Sequence, residues 1–376
     1  MDEFAIVNLA GNRWERYVKR PHIIALNKKC RTLNINVPIA LFEIFYRPRI
    51  FIERLMRKYF SKSIAECEIF TPITIFPIAL TCRSSMLQVI DAPIYLSQLK
   101  KYLKNKIEGK TVLLFHSPHY YYLVEKLKKD LTIFLITDYI IGNIAEMTRK
   151  SISMSDVVLF NSDEYMSQFS YLHNKYYVPN GTDTVSFGGL YEEEPDIKSI
   201  KRPRIMWAGR IRMLHYDWLD HAASNNPNWS FIMIGTVDDI KDANNKVLKL
   251  FKRRNNVHFL GWKDFMSLPS YMSSADVLIM PYDECVDFVR FSHPNKIYQY
   301  LASGKPIVSS VFPEASKYKD LIYLCETKTD FEMQIKEALL NGSDSISIAK
   351  RKIAAKNNDL GVIADLMLSI IRRHLK

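Results

Sequence analysis

The chain has 376 residues but only 12 glycines, and none of them falls into a P-loop or G-x-G-x-x-G phrase. A dinucleotide fingerprint or a glycine cradle for a nucleoside triphosphate therefore finds no support. The five cysteines, Cys30, Cys67, Cys82, Cys285 and Cys325, are odd in number and never form C-x-x-C. That argues against a disulfide framework or a zinc site and suits a reducing compartment. There is no D-x-D phrase either; Asp238 and Asp239 are simply adjacent acids in a loop-like stretch. No apolar run approaches the ~20 residues of a membrane span, ITIFPIAL at 73–80 being among the longest. The opening MDEFAIVNLAGN carries two acids and meets an asparagine after a short apolar run, which is not the build of a signal peptide. These absences predict a cytoplasmic protein, soluble or held only at a membrane surface.

What is present is charge of one sign. Net charge is +12, and the first 190 residues carry 25 Lys and Arg against 17 Asp and Glu. A basic surface suits polyanionic partners: nucleic acid, anionic lipid or phosphorylated small molecules. There is no RNP-like or zinc-finger phrase, and the basic residues are mixed with acids, so no nucleic-acid partner is expected. Hydrophobic residues make up 48% of the chain, ample for a buried core.

Short β-like runs alternate with helical stretches along the whole length, the signature of parallel α/β architecture. FAIVNLA (4–10), RTLNINVP (31–38), TVLLFHS (111–117), LTIFLIT (131–137) and DVVLF (156–160) read as strands, with helices expected over 92–107 and 121–130. The acidic YEEEPD and polar KSIKRPR then interrupt the pattern, so 186–202 reads as a linker. It restarts with RIMWAG (204–209), WSFIMIG (229–235), VHFLG (257–261), ADVLIMPY (275–282), KPIVSS (305–310) and LIYLCE (321–326). The expected organisation is a first domain over 1–185, the linker, a second domain over 203–355 and a terminal helix within 356–376.

Residues 291–310, FSHPNKIYQYLASGKPIVSS, carry the sharpest local signal. Pro294 suits a first helical turn, Ile297, Tyr300 and Leu301 form one apolar stripe, and Gly304 ends the helix. Lys296 then lies in the first turn, where the macrodipole disfavours a cation unless an anion is bound there as well. Lys296 and Gln299 share a face, so a phosphate or diphosphate site is predicted; the alternative is a surface lysine on an ordinary helix.

HPNKIYQYLASGKPIVSS resembles the donor-site helix of GT-B glycosyltransferases, where a lysine precedes a phrase like E-Y-L-A-x-G-K-P-V-V. The likeness extends over most of the chain, through NRWERYVKRPHIIA (12–25), LITDYI (135–140), SDVVLFNSDEY (155–165), VPNGTD (178–183), 207–235 and 255–282. It implies an α/β GT-B fold: two Rossmann-like domains facing a cleft, nucleotide-sugar in the second and acceptor in the first, with the C-terminal helix crossing back to the N-domain. It further implies that Asn295, Lys296 and Gln299, the Gly209–Arg210 turn, His215, Trp262 and Tyr282 meet the donor, a UDP- or GDP-sugar used as substrate with no cofactor and no metal. Arg212 is a further candidate for the phosphates or a solvated side chain, and Trp262 could be packing.

The E-x7-E of retaining family-4 enzymes is absent, since Phe291 and Gln299 occupy those places. Lys followed three residues later by Gln resembles the inverting xanthan-type glucuronosyltransferase instead, so inversion is preferred over retention; a GT-B epimerase or a non-catalytic homologue is the alternative on this fold, and a basic nucleic-acid-binding protein the alternative of another class. Inversion requires a general base. The candidates are Asp138 after LTIFLIT, which could equally cap a helix, and His116 and His119 in FHSPHY. Finally, RIFIERLMRKYFSKS (49–63) reads as a basic amphipathic helix for an anionic membrane surface, with Phe51, Arg54, Arg57 and Lys58 at the interface and a lipid-linked or glycan acceptor implied. A core helix with a solvated basic face is the alternative.

Overall fold

The structure is a computed structural model. It describes residues 4–10, 21–60, 63–64, 67–137, 139–140, 142, 144–237 and 253–375. The chain divides into two compact units: residues 1–179 together with 361–376, and residues 180–360.

The first unit is built on β1 (Phe4–Leu9), β2 (Thr32–Ile35), β3 (Ile39–Ala40), β4 (Ser63–Ile64), β5 (Cys67–Phe70), β6 (Ile73–Thr74), β7 (Lys110–Phe115), β8 (Leu131–Ile136), β9 (Val157–Phe160) and β10 (Lys175–Tyr177). Eight of them form a sheet in the order β10-β9-β8-β7-β1-β2-β5-β4, while β3 and β6 pair separately. Strands such as LTIFLI are buried at every position because helices cover both faces, the usual state of a parallel sheet. The order reverses at β1, whose neighbours are β2 and β7. The loops after β1 and β7 therefore meet at a topological switch point, where doubly wound sheets bind ligands.

The second unit holds β11 (Arg204–Ala208), β12 (Ser230–Ile234), β13 (Val257–Gly261), β14 (Val277–Met280), β15 (Ile307–Ser310) and β16 (Tyr323–Cys325). Their order, β13-β12-β11-β14-β15-β16, is that of a Rossmann sheet, and every pairing is parallel. The switch point lies between β11 and β14.

Three sequence expectations are corrected. Residues 186–202 are not a free linker: they contain the helices Thr184–Gly188 and Pro195–Lys198, whose Phe187 and Ile197 are buried in the second unit's core. The helix expected over 121–130 is one turn, Tyr121–Val124, because Asp130 N–H is taken by Thr111 O at 2.8 Å as the chain enters β8.

The third concerns the basic helix, which spans Pro48–Phe60. Phe51 and Arg54 point inward, Arg54 keeping 4% of its surface while Ile52 and Met56 are exposed. The Arg54 guanidinium donates to Val37 O (2.6 Å), Pro38 O (3.1 Å) and Glu43 Oε2 (3.2 Å). A cation so satisfied is an internal tie, not a headgroup contact. The side chains of Arg57 and Lys58 lie outside the described ones.

The terminal helix, Leu360–His374, packs with the first unit. Lys29 Nζ bonds Gly361 O at 2.9 Å, and Tyr176 Oη meets His374 Nε2 at 2.7 Å.

Candidate functional site

At the switch point of the second unit, β11 is followed by Gly209 with φ +146° and β12 by Gly235 with φ +139°. A side chain at Gly235 would meet the carbonyl oxygen of Gly209 at 1.8 Å, so the two turns touch backbone to backbone and glycine is required there. Gly209 N–H donates to Ile234 O at 2.8 Å.

The helix Lys296–Ser303 begins at the predicted lysine and ends at Gly304 in the left-handed conformation, φ +73°. Asn295 occupies the N-cap position without a side-chain capping bond, so no side chain of its own caps the first turn. Tyr300, one turn in, accepts the backbone N–H of Ala208 at 2.9 Å. That bond ties the helix to the last residue of β11, directly before Gly209.

Lys296 is the centre of this arrangement. Its ammonium lies 3.0 Å from the centroid of the Trp207 ring and 5.1 Å from that of Tyr282. The two rings meet edge to face, 5.1 Å apart. A methyl group on Gly209 would come within 2.6 Å of Nζ. Among the described residues no carboxylate or hydrogen-bond acceptor pairs with this cation, and burial pushes its pKa well below the usual lysine range. Cation–π contact repays part of the desolvation. A buried positive charge without a counter-ion is costly, and an anion at the helix mouth would supply the missing partner.

Other predicted donor residues are distributed around this point. Arg210 follows Gly209 and is exposed. The Arg212 guanidinium stands 5.1 Å from the Phe288 ring centroid. Gln299 is buried on the same helix as Lys296. Tyr282 forms the cage, and burial raises its hydroxyl pKa. Trp262, after β13, is 68% exposed, which excludes the packing alternative. His215 stacks on Trp218 at 4.1 Å and bonds Glu284 Oε2 at 2.7 Å, so it enters the site already engaged. His215, Asp283 and Glu284 offer ligand atoms within 4.8 Å of one another, making them the residues able to hold a cation among those described. Trp207 was not singled out in the sequence, since a tryptophan inside RIMWA reads as core; its burial is complete, yet its ring face receives Lys296.

The first unit's switch point holds a chain of polar groups. His116 Nε2 meets Asn8 Oδ1 at 2.9 Å, and Asn8 Nδ2 donates to Asn34 Oδ1 at 2.9 Å. Because Asn8 donates through nitrogen, its oxygen is the acceptor and His116 Nε2 carries the proton. The His22 ring stands 5.7 Å from that of His116, with a buried Nε2 that finds no partner among the described residues and a pKa lowered by burial to about 4. His119 lies in the turn Pro118–Tyr120 with Nδ1 2.8 Å from Ser117 Oγ. Burial first, then the charge of Arg83, lower its pKa. Asn8, Asn34 and His22 were missed by sequence reasoning, although an asparagine inside FAIVNLA is a visible break in an apolar strand. Asp138 lies outside the described residues, as do 11–20, 238 and 239.

Comparison with known proteins bears on the fold and the family. Residues 202–341 match the family described as glycosyl transferases group 1. The chain is 27% identical over 236 residues to the putative teichuronic acid biosynthesis glycosyltransferase TuaH of Bacillus subtilis strain 168, covering 56% of this chain and 57% of that one. It thus spans little more than half the length of this curated relative. Its fold is similar to a glycosyltransferase from Rickettsia africae ESF-5 (TM-score 0.71, 14% identical, 100% of both chains). It is also similar to Anabaena Alr3699/HepE in complex with UDP-glucose (TM-score 0.68, 12% identical, 98% of this chain and 100% of that one). Residues 202–341 thus resemble the group 1 glycosyl transferases, and the chain as a whole shares the GT-B fold of two Rossmann-like units with these solved structures.

Proposed function

We propose that the chain transfers a sugar from a nucleoside-diphosphate sugar to a lipid-linked or polysaccharide acceptor without a metal. The observation that carries this reading is the ring-caged ammonium of Lys296, without an acceptor among the described residues, at the mouth of the Lys296–Ser303 helix. Breaking the sugar–phosphate bond leaves a new negative charge on the diphosphate. A fixed cation and a helix N-terminus aimed at that position stabilise the transition state without reorganising. Arg210 and the Gly209 turn would flank the phosphates, and the exposed Trp262 offers a ring face to the base. Alr3699/HepE is described in complex with UDP, which makes UDP the first nucleotide to try.

Inversion of the anomeric centre is the preferred outcome, with His116 as the described residue best suited to take the acceptor proton. Its Nε2–H is committed to Asn8, so a neutral ring carries its lone pair on Nδ1. Retention remains the alternative outcome. The membrane part of the reading rests on a different surface from the one the sequence suggested. Phe42, Ile44, Phe45 and Tyr46 are exposed on and beside the helix Glu43–Tyr46, as are Ile52 and Met56 on the next one, with Phe45 at 80%. Exposed Arg47 and Arg49 lie beside them. Apolar insertion with basic flanks suits an anionic membrane.

The test is thermal denaturation with UDP, GDP, dTDP, CDP and CMP, each with and without EDTA. One nucleotide should stabilise the protein in both conditions. No stabilisation at millimolar concentration would refute the donor reading, and stabilisation abolished by EDTA would point to His215, Asp283 and Glu284 holding a required cation. Co-sedimentation with phosphatidylglycerol vesicles, lost in Phe45→Asp, checks the membrane surface.

A further inference from the structure

Behind the helix mouth lies a sealed polar cluster that the donor reading does not use. Glu314, in the short helix Pro313–Ser316, is almost fully buried, and so is His293. Glu314 Oε1 accepts from Tyr298 Oη at 3.1 Å and lies 3.2 Å from His293 Nε2. Tyr298 Oη and His293 Nε2 are 3.0 Å apart, and Tyr318 Oη donates to Tyr298 Oη at 3.3 Å. Lys317 closes the other carboxylate oxygen, Oε2, at 2.6 Å. The backbone carbonyl of His293 is fixed separately by Asn180 Nδ2 at 2.7 Å.

The two side chains gathered on Glu314 come from positions that bracket one residue. His293 precedes Lys296 by three positions and Tyr298 follows it by two. Between them run Pro294 and Asn295, whose carbonyls accept the first helical N–H groups at 3.2–3.4 Å but whose N-cap side chain makes no capping bond. One carboxylate oxygen gripping both sides of that segment fixes where the first helical turn starts, and hence where the Lys296 stem leaves the backbone. A shift of the start by a fraction of a turn would carry the ammonium off the Trp207 face.

We propose that Glu314 is a positioning residue for Lys296, acting through His293 and Tyr298 to hold the start of the helix and so the cation on which a diphosphate would rest. This rests on the donor reading only for its consequence in binding; the placement of Lys296 is a claim about the free protein. Buried carboxylate networks are retained for specificity of geometry in some proteins and not in others, so the effect must be read at Lys296 itself.

The experiment measures the pH profile of Lys296 acetylation by acetic anhydride, followed by mass spectrometry, in wild type, Glu314→Gln and Tyr298→Phe. UDP affinity by calorimetry is measured alongside, with Lys296→Met as the reference. The expected result is a Lys296 acetylation profile moved toward that of an ordinary exposed lysine in both variants. UDP binding should be at least tenfold weaker, and Glu314→Gln combined with Lys296→Met no worse than Lys296→Met alone. Tyr298→Phe keeps the ring and its packing, so it carries the test if Glu314→Gln does not fold. An unchanged Lys296 profile in Tyr298→Phe or a folded Glu314→Gln overturns the proposal, whatever happens to UDP. If Lys296→Met binds UDP like wild type, the donor reading falls instead, and the acetylation profile still decides the positioning claim.

Discussion

Replacing Lys296 by methionine should push stability and binding in opposite directions. The ammonium lies against Trp207 and Tyr282 with no carboxylate beside it among the described residues. Methionine fills a similar volume without a charge. The variant forfeits a cation–π contact of about 1–2 kcal/mol, but it also escapes the desolvation of a half-buried charge, a cost of similar size. The free variant should therefore melt at the same temperature as wild type or higher.

The pH dependence gives a second, independent sign. Burial lowers the folded-state pKa below 10.5, so between that lowered value and 10.5 the unfolded chain holds more protons than the folded one. Wild-type stability must then rise with pH across that window, and Lys296→Met should remove that part of the slope. Binding moves the other way. A charge-assisted bond to phosphate is worth roughly 1.5–3 kcal/mol, so nucleotide affinity should fall by between about 10- and 150-fold. The assay is thermal denaturation from pH 6 to 10 with calorimetric titration of UDP. A variant that loses several kcal/mol in the free state yet binds UDP as before would refute the reasoning, because Lys296 would then be a structural lysine.

The two touching glycines should separate by severity. Gly235→Ala drives a methyl group into the Gly209 carbonyl and should lose about 3 kcal/mol or more or fail to fold. Gly209→Ala meets the end of the Lys296 side chain rather than backbone, so it should lose about 1–3 kcal/mol while displacing that ammonium and weakening UDP binding as Lys296→Met does; chemical denaturation and calorimetry check both. In acid, burial alone would raise Glu314, but His293 and Lys317 outweigh it and hold its pKa at about 2. The stability this carboxylate contributes is complete above about 4.5 and disappears as pH falls toward 2, on the order of 3 kcal/mol, and Glu314→Gln should flatten that limb of an acid titration. At the other switch point, His116→Gln should cut turnover by about 10²-fold or more while leaving UDP affinity unchanged; equal loss of both in radiolabelled transfer and calorimetry would exclude the base role.

How much of this was legible depends on the range of the signal. Lys296 and Gly304 are visible from the sequence because helix start and stop signals are local: a proline, an apolar stripe, a glycine. The buried strands are visible because parallel sheets leave near-continuous apolar runs. Trp207, Asn8, Asn34 and His22 were hidden, since their roles come from contacts across the sheets, and a core tryptophan looks the same whether or not a cation rests on its face. The basic helix misled for a related reason. Its spacing shows that a face exists but not which face is buried, and Arg54 turned inward because Glu43 and two carbonyls wait there. Residues 186–202 looked like a linker because acids dominate, while Phe187, Ile197 and Ile200 anchor that stretch to a core.

The first unit is assembled from residues 1–179 and 361–376, so in covalent order the second unit is an insertion within it. A ribosome making this chain delivers the second unit's whole sheet before it delivers the helix that covers the first. Ile363, Met367, Leu368 and Ile371 on that helix are buried in the finished protein, so until they arrive the surface they cover stays bare. Synthesis therefore completes the second unit first and leaves the other waiting, exposed to aggregation and to chaperones, for the helix Leu360–His374.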